Sequence, residues 1–132
     1  MIKWDETMSV GIGRMDQQHQ RWLELINMLS DGIKNGQSQE VLDDLFAGAL
    51  DYTKTHFGSE EELLAKNNYP RLNQQKQEHQ YLIERMNHLK SQFESEAHRV
   101  TMELMNEMCN WLINHIKKSD KQYGQFLNVD RG

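Results

Sequence analysis

The chain has 132 residues, enough for one domain with a single buried core. Its net charge of −5 argues against a basic surface that grips nucleic acid. No apolar stretch is long enough for a membrane-spanning helix or a secretory signal, and a single cysteine, Cys109, excludes an internal disulfide. We therefore expect one cytoplasmic, monomeric domain over residues 1–132, without nucleic-acid or membrane partners. Its six histidines are the feature to explain.

Hydrophobic periodicity predicts an all-α protein. An irregular arm is predicted first, and apolar residues then recur in steps of three and four along four segments. No alternating run bounded by turn residues predicts a strand. Short connections between the segments imply an antiparallel up-down-up-down four-helix bundle. The predicted arm covers about 1–15, the helices about 17–35, 39–66, 70–93 and 97–118, and a short C-terminal turn about 120–127.

Several helix ends carry their own signals. Asp16 is predicted to cap the first helix and Ser38 the second, because their side chains can accept hydrogen bonds from free backbone N–H groups. Asn35-Gly36 is predicted to end the first helix. Pro70 suits the first turn of the third helix, where its missing N–H costs no hydrogen bond.

One histidine lies on the inward line of each predicted helix. His19 and His79 lie early in the first and third helices. His56 and His115 lie late in the second and fourth, so the antiparallel topology brings all four to one level. A single histidine on an apolar face is more often a hydrogen-bonded core residue than a ligand. Four such imidazoles in one desolvated site need a common partner, which a metal supplies.

Two carboxylates extend this candidate metal site. Glu60 follows His56 by four residues, so both point from the same helix face. Asp120 follows His115 by five residues, which is about 140° around a straight helix. It can join the site only if the helix ends there or widens by a π-type turn. Glu61 and Glu62 are expected on a solvated face.

The types of ligand narrow the choice of metal. Imidazole and carboxylate ligands suit iron, manganese or zinc, and the absence of thiolate ligands disfavours a structural zinc or an iron–sulfur site. Two carboxylates with several histidines favour two metals over one, as in di-iron sites in bundle cores.

At this point the motifs resemble those of the hemerythrin family. The segment at 56–61 is similar to the family's HFxxEE motif, and Tyr69-Pro70 to the YP before its third helix. Residues 111–116 with Asp120 are similar to WLxxHI…D. Val10-Gly11, Asp16 and His19 resemble the family's VG…D..H start.

The resemblance implies a non-heme di-iron centre, oxo or hydroxo bridged, that binds dioxygen reversibly for storage, delivery or scavenging. It implies a binding protein and not an enzyme. It assigns His19 and His56 to the iron that takes up dioxygen, His79 and His115 to the other iron, and Glu60 and Asp120 to bridging positions. The residues that it places around a dry dioxygen pocket, as cofactor-binding residues, are Phe57, Trp111, Leu112 and Ile116.

Gln75 departs from the family pattern, which has a histidine four residues before the second ligand of the third helix. The Gln75 amide oxygen can coordinate iron more weakly than imidazole, or hydrogen-bond a water in that position. The hypothesis is a labile position on the second iron that favours autoxidation or peroxide chemistry over long-lived storage.

Two alternatives stay open. The first is a dioxygen or redox sensor whose bundle changes shape for a protein partner. The second is a di-iron peroxidase or a nitric-oxide-handling protein, which Gln75 favours, so low-level peroxidase activity is compatible with the chain. The two remaining histidines, His88 and His98, are expected on the surface.

Overall fold

Five α-helices make up most of the structure, a computed structural model that describes residues 2–95 and 102–131. Among these residues there is no strand, and no helix is long and apolar enough to cross a membrane. A short 3-10 helix, Glu6–Met8, lies in the N-terminal arm, and a π-helical turn, Ile116–Asp120, joins α4 to α5. The α-helices are α1 Gly13–Lys34, α2 Gln39–Lys66, α3 Leu72–Ser95, α4 Met102–His115 and α5 Lys121–Arg131.

Helices α1 to α4 form a closed ring of neighbours. Helix α2 packs on α1 and α3, and α4 packs on α3 and α1. Trp22 in the first half of α1 donates from Nε1 to Thr53 Oγ1 at 2.8 Å, whereas Gly32 near its end lies against Leu42 at the start of α2. The two helices therefore run antiparallel. The predicted all-α, antiparallel four-helix bundle is confirmed.

The apolar core has two parts. The larger part fills the interior of the bundle formed by the four helices α1 to α4, with Trp22, Phe46 and Met86 fully buried. The smaller part lies where the arm and α5 pack against the end of α2, around Leu64 and Tyr123. Phe57 of the larger part stacks on His79 and Tyr123 of the smaller part hydrogen-bonds Glu60, so the candidate metal ligands contact side chains of both parts.

Helix α1 begins at Gly13, four residues before the predicted start, so the irregular arm is shorter than residues 1–15. Asp16 is not its N-cap, because it lies inside the first turn. Its carboxylate instead accepts hydrogen bonds from the Ser9 hydroxyl at 2.6 Å and from the Val10 N–H at 2.8 Å. Asp16 thus ties the arm to the first turn of α1, where a negative charge also suits the helix dipole.

Helix α3 begins at Leu72, and the prediction that Pro70 lies in its first turn is wrong. The chain reverses at Asn68, whose φ is +55°, and the Tyr69 N–H donates to the Leu64 carbonyl. This reversal closes the end of α2, and the residue before a proline resists helical geometry. Helical geometry therefore starts only after the proline.

The C-terminal region is more helical than predicted. In place of a short turn at 120–127, helix α4 continues through the π-turn into the eleven residues of α5. The predicted end of the fourth helix at residue 118 falls inside the π-turn. Its predicted start near residue 97 lies outside the described residues. Helix α5 holds the arm, with Lys121 Nζ donating to the Thr7 carbonyl at 3.1 Å.

Gly124 is a point of close approach between α5 and the arm. A Cβ here would overlap the Val10 backbone oxygen, so the arm must move to admit one. We expect Gly124→Ala to lower the free energy of unfolding by about 1–3 kcal/mol, measured by urea denaturation. The matched control is Gly48→Ala in α2, where a Cβ meets nothing within 4 Å. The control should be neutral or stabilising, and equal losses in both variants would contradict this account.

Candidate metal centre

Six predicted ligands meet inside the bundle, and each of them is at most 3% exposed. Each of the four bundle helices supplies one histidine, α2 adds a glutamate, and the π-turn supplies an aspartate. The residues are His19, His56, Glu60, His79, His115 and Asp120.

The ligand atoms fall into two groups that share Glu60. Its Oε2 lies 3.0 Å from His19 Nε2, and its Oε1 lies 3.3 Å from His56 Nε2 and 3.2 Å from His79 Nε2. Within each group the ligand atoms lie within 4.8 Å of one another, a spacing that can hold a metal ion. One group is His19, His56 and Glu60, and the other is Glu60, His79, His115 and Asp120.

Asp120 also reaches both groups. Its Oδ1 lies 3.1 Å from His115 Nε2, and its Oδ2 lies 3.2 Å from His19 Nε2. The π-turn that the five-residue spacing requires is present at Ile116–Asp120. An i to i+5 turn brings residues five apart onto one face, so Asp120 and His115 point together.

Several inward-facing atoms lie at ion-pair distance from one another but make no hydrogen bond. The Nε2 atoms of His56, His79 and His115 are buried and make no hydrogen bond, and neither does Glu60 Oε1 or Asp120 Oδ2. Leaving buried polar atoms unsatisfied is costly, and cations between them would satisfy both nitrogens and oxygens. This set of imidazole and carboxylate donors therefore fits iron, manganese or zinc.

The outward nitrogens of two histidines are held by glutamates from a neighbouring helix. Glu61 Oε2 lies 3.0 Å from His79 Nδ1, and Glu78 Oε1 lies 3.1 Å from His115 Nδ1. A proton on Nδ1 donated to a carboxylate leaves Nε2 free to bind a metal. The expectation of a solvated Glu61 is therefore wrong. It is half-buried and orients a ligand of α3.

Sequence reasoning also missed Gln18 and Glu78. Gln18 Oε1 lies 2.7 Å from His56 Nδ1. Each of the two residues directly precedes a predicted ligand, and so lies off the inward line of its own helix. Their partners belong to the adjacent helix, which only the packing reveals. A polar residue immediately before each inward histidine is the only signal that the sequence offers.

Tyr123 is a further residue that sequence reasoning missed. Its hydroxyl is fully buried and donates to Glu60 Oε2 at 2.6 Å. Burial, together with the charges of Glu60 and Asp120, raises the pKa of the Tyr123 hydroxyl well above its usual value, so it stays a donor. The available signal was its place one helical turn after Asp120, in a segment predicted only as a short turn.

Tyr123→Phe removes one hydrogen bond and keeps the ring. We expect the metal affinity to fall about 10–100-fold, as is usual when a partner of a ligand is lost. Competition with a chromophoric chelator measures this. Tyr69→Phe is the control, because Tyr69 packs edge-on against Tyr123 without reaching a ligand in the described structure. An unchanged affinity in Tyr123→Phe would show that the hydroxyl does not support Glu60.

Protons balance the charges of this cluster when no metal is bound. Burial opposes the charged form of His19, but hydrogen bonds and charges from Asp120 and Glu60 outweigh it and raise its pKa to about 9. Burial is likewise outweighed at His115, whose pKa rises to about 10 beside Asp120. Burial would raise the pKa of Glu60, yet the charge of His56 holds it well below its usual value. Metal binding must therefore displace protons.

These shifts predict how the stability of the metal-free protein depends on pH. The pKa values of His19 and His115 lie above the ordinary 6.5, so their protons stabilise the fold fully below about 6.5. That stabilisation is lost as the pH rises through about 9 and about 10. We expect the free energy of unfolding, followed by urea denaturation, to fall across this window. A flat profile would contradict the charge assignment.

Gln75 lies beside the second group of ligands and is 2% exposed. Its Nε2 donates to Asp120 Oδ1 at 3.1 Å and to the Ser119 carbonyl at 3.3 Å. Its Oε1 is buried and makes no hydrogen bond. The amide is thus held by its nitrogen, and its oxygen is left as an unused acceptor next to the centre.

The residues assigned to the dioxygen pocket lie beside the ligands. Phe57 stacks on His79, with 3.7 Å between ring centroids and 3° between planes, and Trp111 stacks on His115. Leu112 and Ile116 are buried in the larger core, and Trp111 is half-buried against it. A dioxygen pocket at these residues stays a prediction.

Of the two remaining histidines, only one lies among the described residues. His88 is exposed on α3, as expected from its place opposite the inward line. His98 lies outside the described residues.

Comparisons with known proteins agree on one family. The model of the "Hemerythrin HHE cation binding domain" matches residues 10–127. The chain is 31% identical over 126 residues to a bacteriohemerythrin of Stenotrophomonas maltophilia, covering 93% of this chain and 79% of that protein. It is 32% identical over 118 residues to a bacteriohemerythrin of Methylococcus capsulatus, covering 89% of each. A crystal structure of wild-type hemerythrin superposes with a TM-score of 0.86 at 28% identity, covering 95% of this chain and 96% of that one.

Proposed function

The chain belongs to the hemerythrin family, and from that premise we propose that it holds two non-heme iron ions and binds dioxygen reversibly. The observation that carries the proposal is the pair of ligand groups sharing Glu60. Two metal positions bridged by carboxylates suit a ligand that must receive two electrons at once. The inward Nε2 atoms that make no hydrogen bond add support.

The candidate ligands would be shared between the two ions as follows. His19 and His56 would hold one ion and His79 and His115 the other, with Glu60 and Asp120 bridging them. Two ferrous ions would supply the electrons that dioxygen accepts when it binds.

Other residues would orient the ligands and exclude water. Glu61, Glu78 and Gln18 would keep the proton of each partner histidine on Nδ1, so that Nε2 stays available. Tyr123 would hold Glu60 in its bridging position through the 2.6 Å hydrogen bond. The apolar pocket would be formed by Phe57, Trp111, Leu112 and Ile116. Its low dielectric would keep water and protons out of the centre.

Reversible binding and iron content can be measured together. The protein is reconstituted with ferrous iron without oxygen, and iron per chain is determined before dioxygen is added and removed. Two irons per chain with a reversible absorption change would support the proposal. His79→Ala should lose iron, whereas His88→Ala on the exposed side of the same helix should keep it. Iron near zero, or an irreversible change, would contradict dioxygen carriage.

Reduction of peroxide is the second candidate, and Gln75 favours it. An amide oxygen in place of an imidazole leaves the second metal position more weakly held and more open to a second ligand. Turnover of hydrogen peroxide with a reductant, lost in Gln75→His, would support this candidate. A sensor role, a monomeric state and a cytoplasmic location stay predictions.

A further inference from the structure

A column of three neighbouring aromatic rings connects the protein surface to the candidate metal centre. Tyr81 on α3 is 50% exposed, and its ring centroid lies 5.7 Å from that of Trp111, with 37° between planes. The Trp111 ring lies 4.9 Å from the His115 ring at 8°. His115 Nε2 in turn faces the centre, 3.1 Å from Asp120 Oδ1. The column therefore runs from solvent to a candidate ligand without a gap.

The chemistry of this column differs from that of the neighbouring stack. Tyrosine and tryptophan are the side chains most easily oxidised by one electron among the aromatic residues, whereas the buried Phe57 on His79 is not readily oxidised. Electron tunnelling weakens steeply with distance, so rings in contact divide a long path into short steps. The helical spacing places Trp111 one turn from His115, and the packing of α3 on α4 adds Tyr81.

A surface cavity gives small molecules access to both oxidisable rings. It has a volume of about 170 Å³ and is lined by Tyr81 and Trp111 together with Leu82, Arg85 and Met108. Arg85 and Glu107 both line this cavity and are exposed, so it carries one positive and one negative charge, and reductants reach it without strong selection by charge.

We propose that Tyr81 and Trp111 form an electron-transfer route from an enediol reductant in solution, such as ascorbate, to His115 and the centre, for the reduction of hydrogen peroxide. The proposal rests on the proposed function in requiring a redox-active metal pair. It extends that function by naming the residues through which electrons enter.

The electron balance is simple. Hydrogen peroxide takes up two electrons and two protons and becomes two water molecules. Each electron leaves Trp111 through His115, and Tyr81 then reduces the Trp111 radical cation while its phenolic proton passes to water. Ascorbate returns a hydrogen atom to the Tyr81 radical, so two ascorbate ions become two ascorbyl radicals for each peroxide.

The transfer between the two rings can be tested without metal. In metal-free protein with Trp4→Phe, pulse radiolysis with azide radicals oxidises the remaining half-buried tryptophan, Trp111. The tryptophan radical absorption should decay as tyrosyl absorption grows, at a rate independent of protein concentration. Tyr81→Phe should slow this step about tenfold or more. Tyr52→Phe, on α2, should leave it unchanged, and an equal rate in wild type and Tyr81→Phe would overturn the route.

The use of the route is tested with iron-loaded protein. Hydrogen peroxide should produce a tyrosyl signal in electron paramagnetic resonance, and added ascorbate should remove it. Tyr81→Phe should lose that signal and oxidise ascorbate about tenfold more slowly at the same iron content. A tyrosyl signal that survives in Tyr81→Phe would overturn the proposal. Failure to bind iron would contradict the proposed function, while the radiolysis with metal-free protein would still decide the route.

Discussion

Glu60→Gln is expected to prevent both metal positions from filling. Glu60 is the carboxylate common to both ligand groups, and its two oxygens lie within 3.3 Å of Nε2 atoms from three helices. The amide keeps the shape but loses the negative charge and one acceptor. The loss of metal affinity should exceed the about 10–100-fold that follows loss of a ligand's partner. Iron per chain after anaerobic reconstitution and desalting measures this.

The matched control is Glu62→Gln, on the same helix but exposed. It removes the same charge from the chain and should keep both irons. Circular dichroism checks that Glu60→Gln remains helical, because a buried charge left without its partner can itself destabilise the fold. Retention of one iron in Glu60→Gln would show that the two positions fill independently and that Glu60 does not bridge them.

Gln75→His is expected to slow autoxidation about tenfold, because imidazole binds iron more strongly than an amide oxygen. The wild-type side chain leaves an acceptor unused at this position, since the Gln75 Oε1 is buried and makes no hydrogen bond. A histidine would give up the hydrogen bonds to Asp120 and the Ser119 carbonyl and offer a nitrogen to the second metal position. The rate of colour loss in the oxygenated protein measures the effect, with iron release as a second readout.

Gln80→His is the control for this substitution. Gln80 is exposed on the same helix and donates to Glu84, so a histidine there should leave autoxidation unchanged. If Gln75→His autoxidises as fast as the wild type, the amide at this position does not limit the life of the oxygenated state.

The bundle was predictable because its helices follow simple periodic rules. In an antiparallel bundle, inward residues early in the first and third helices lie at the same level as inward residues late in the second and fourth. The structure brings together His19, His56, His79 and His115 at that level. The five-residue interval between His115 and Asp120 even indicated the π-turn, since no straight helix turns both side chains inward.

Residues that act across helices were not predictable in the same way. Tyr123 lies in a segment predicted only as a short turn, and it reaches Glu60 because α5 packs against the arm and the end of α2. Glu61 was expected in solvent because it lies off the inward line of its own helix, yet it contacts His79 of the neighbouring helix α3. Such contacts depend on the rotation and tilt of neighbouring helices, and the hydrophobic periodicity of the sequence does not specify either.

The sequence by itself determined the four-helix architecture, the four converging histidines and Glu60, because these depend on spacing along single helices and on their alternating direction. That Gln75 is unusual followed from the resemblance to the hemerythrin pattern. Only the tertiary structure decided which atoms share a metal position, which side chains fix the histidine protons, and that the Tyr81 and Trp111 rings lie in a column leading to His115. The reason is physical. Spacing fixes the face on which a side chain lies, whereas its partners depend on distances of a few ångströms between helices, and those are set by the packing of the whole core.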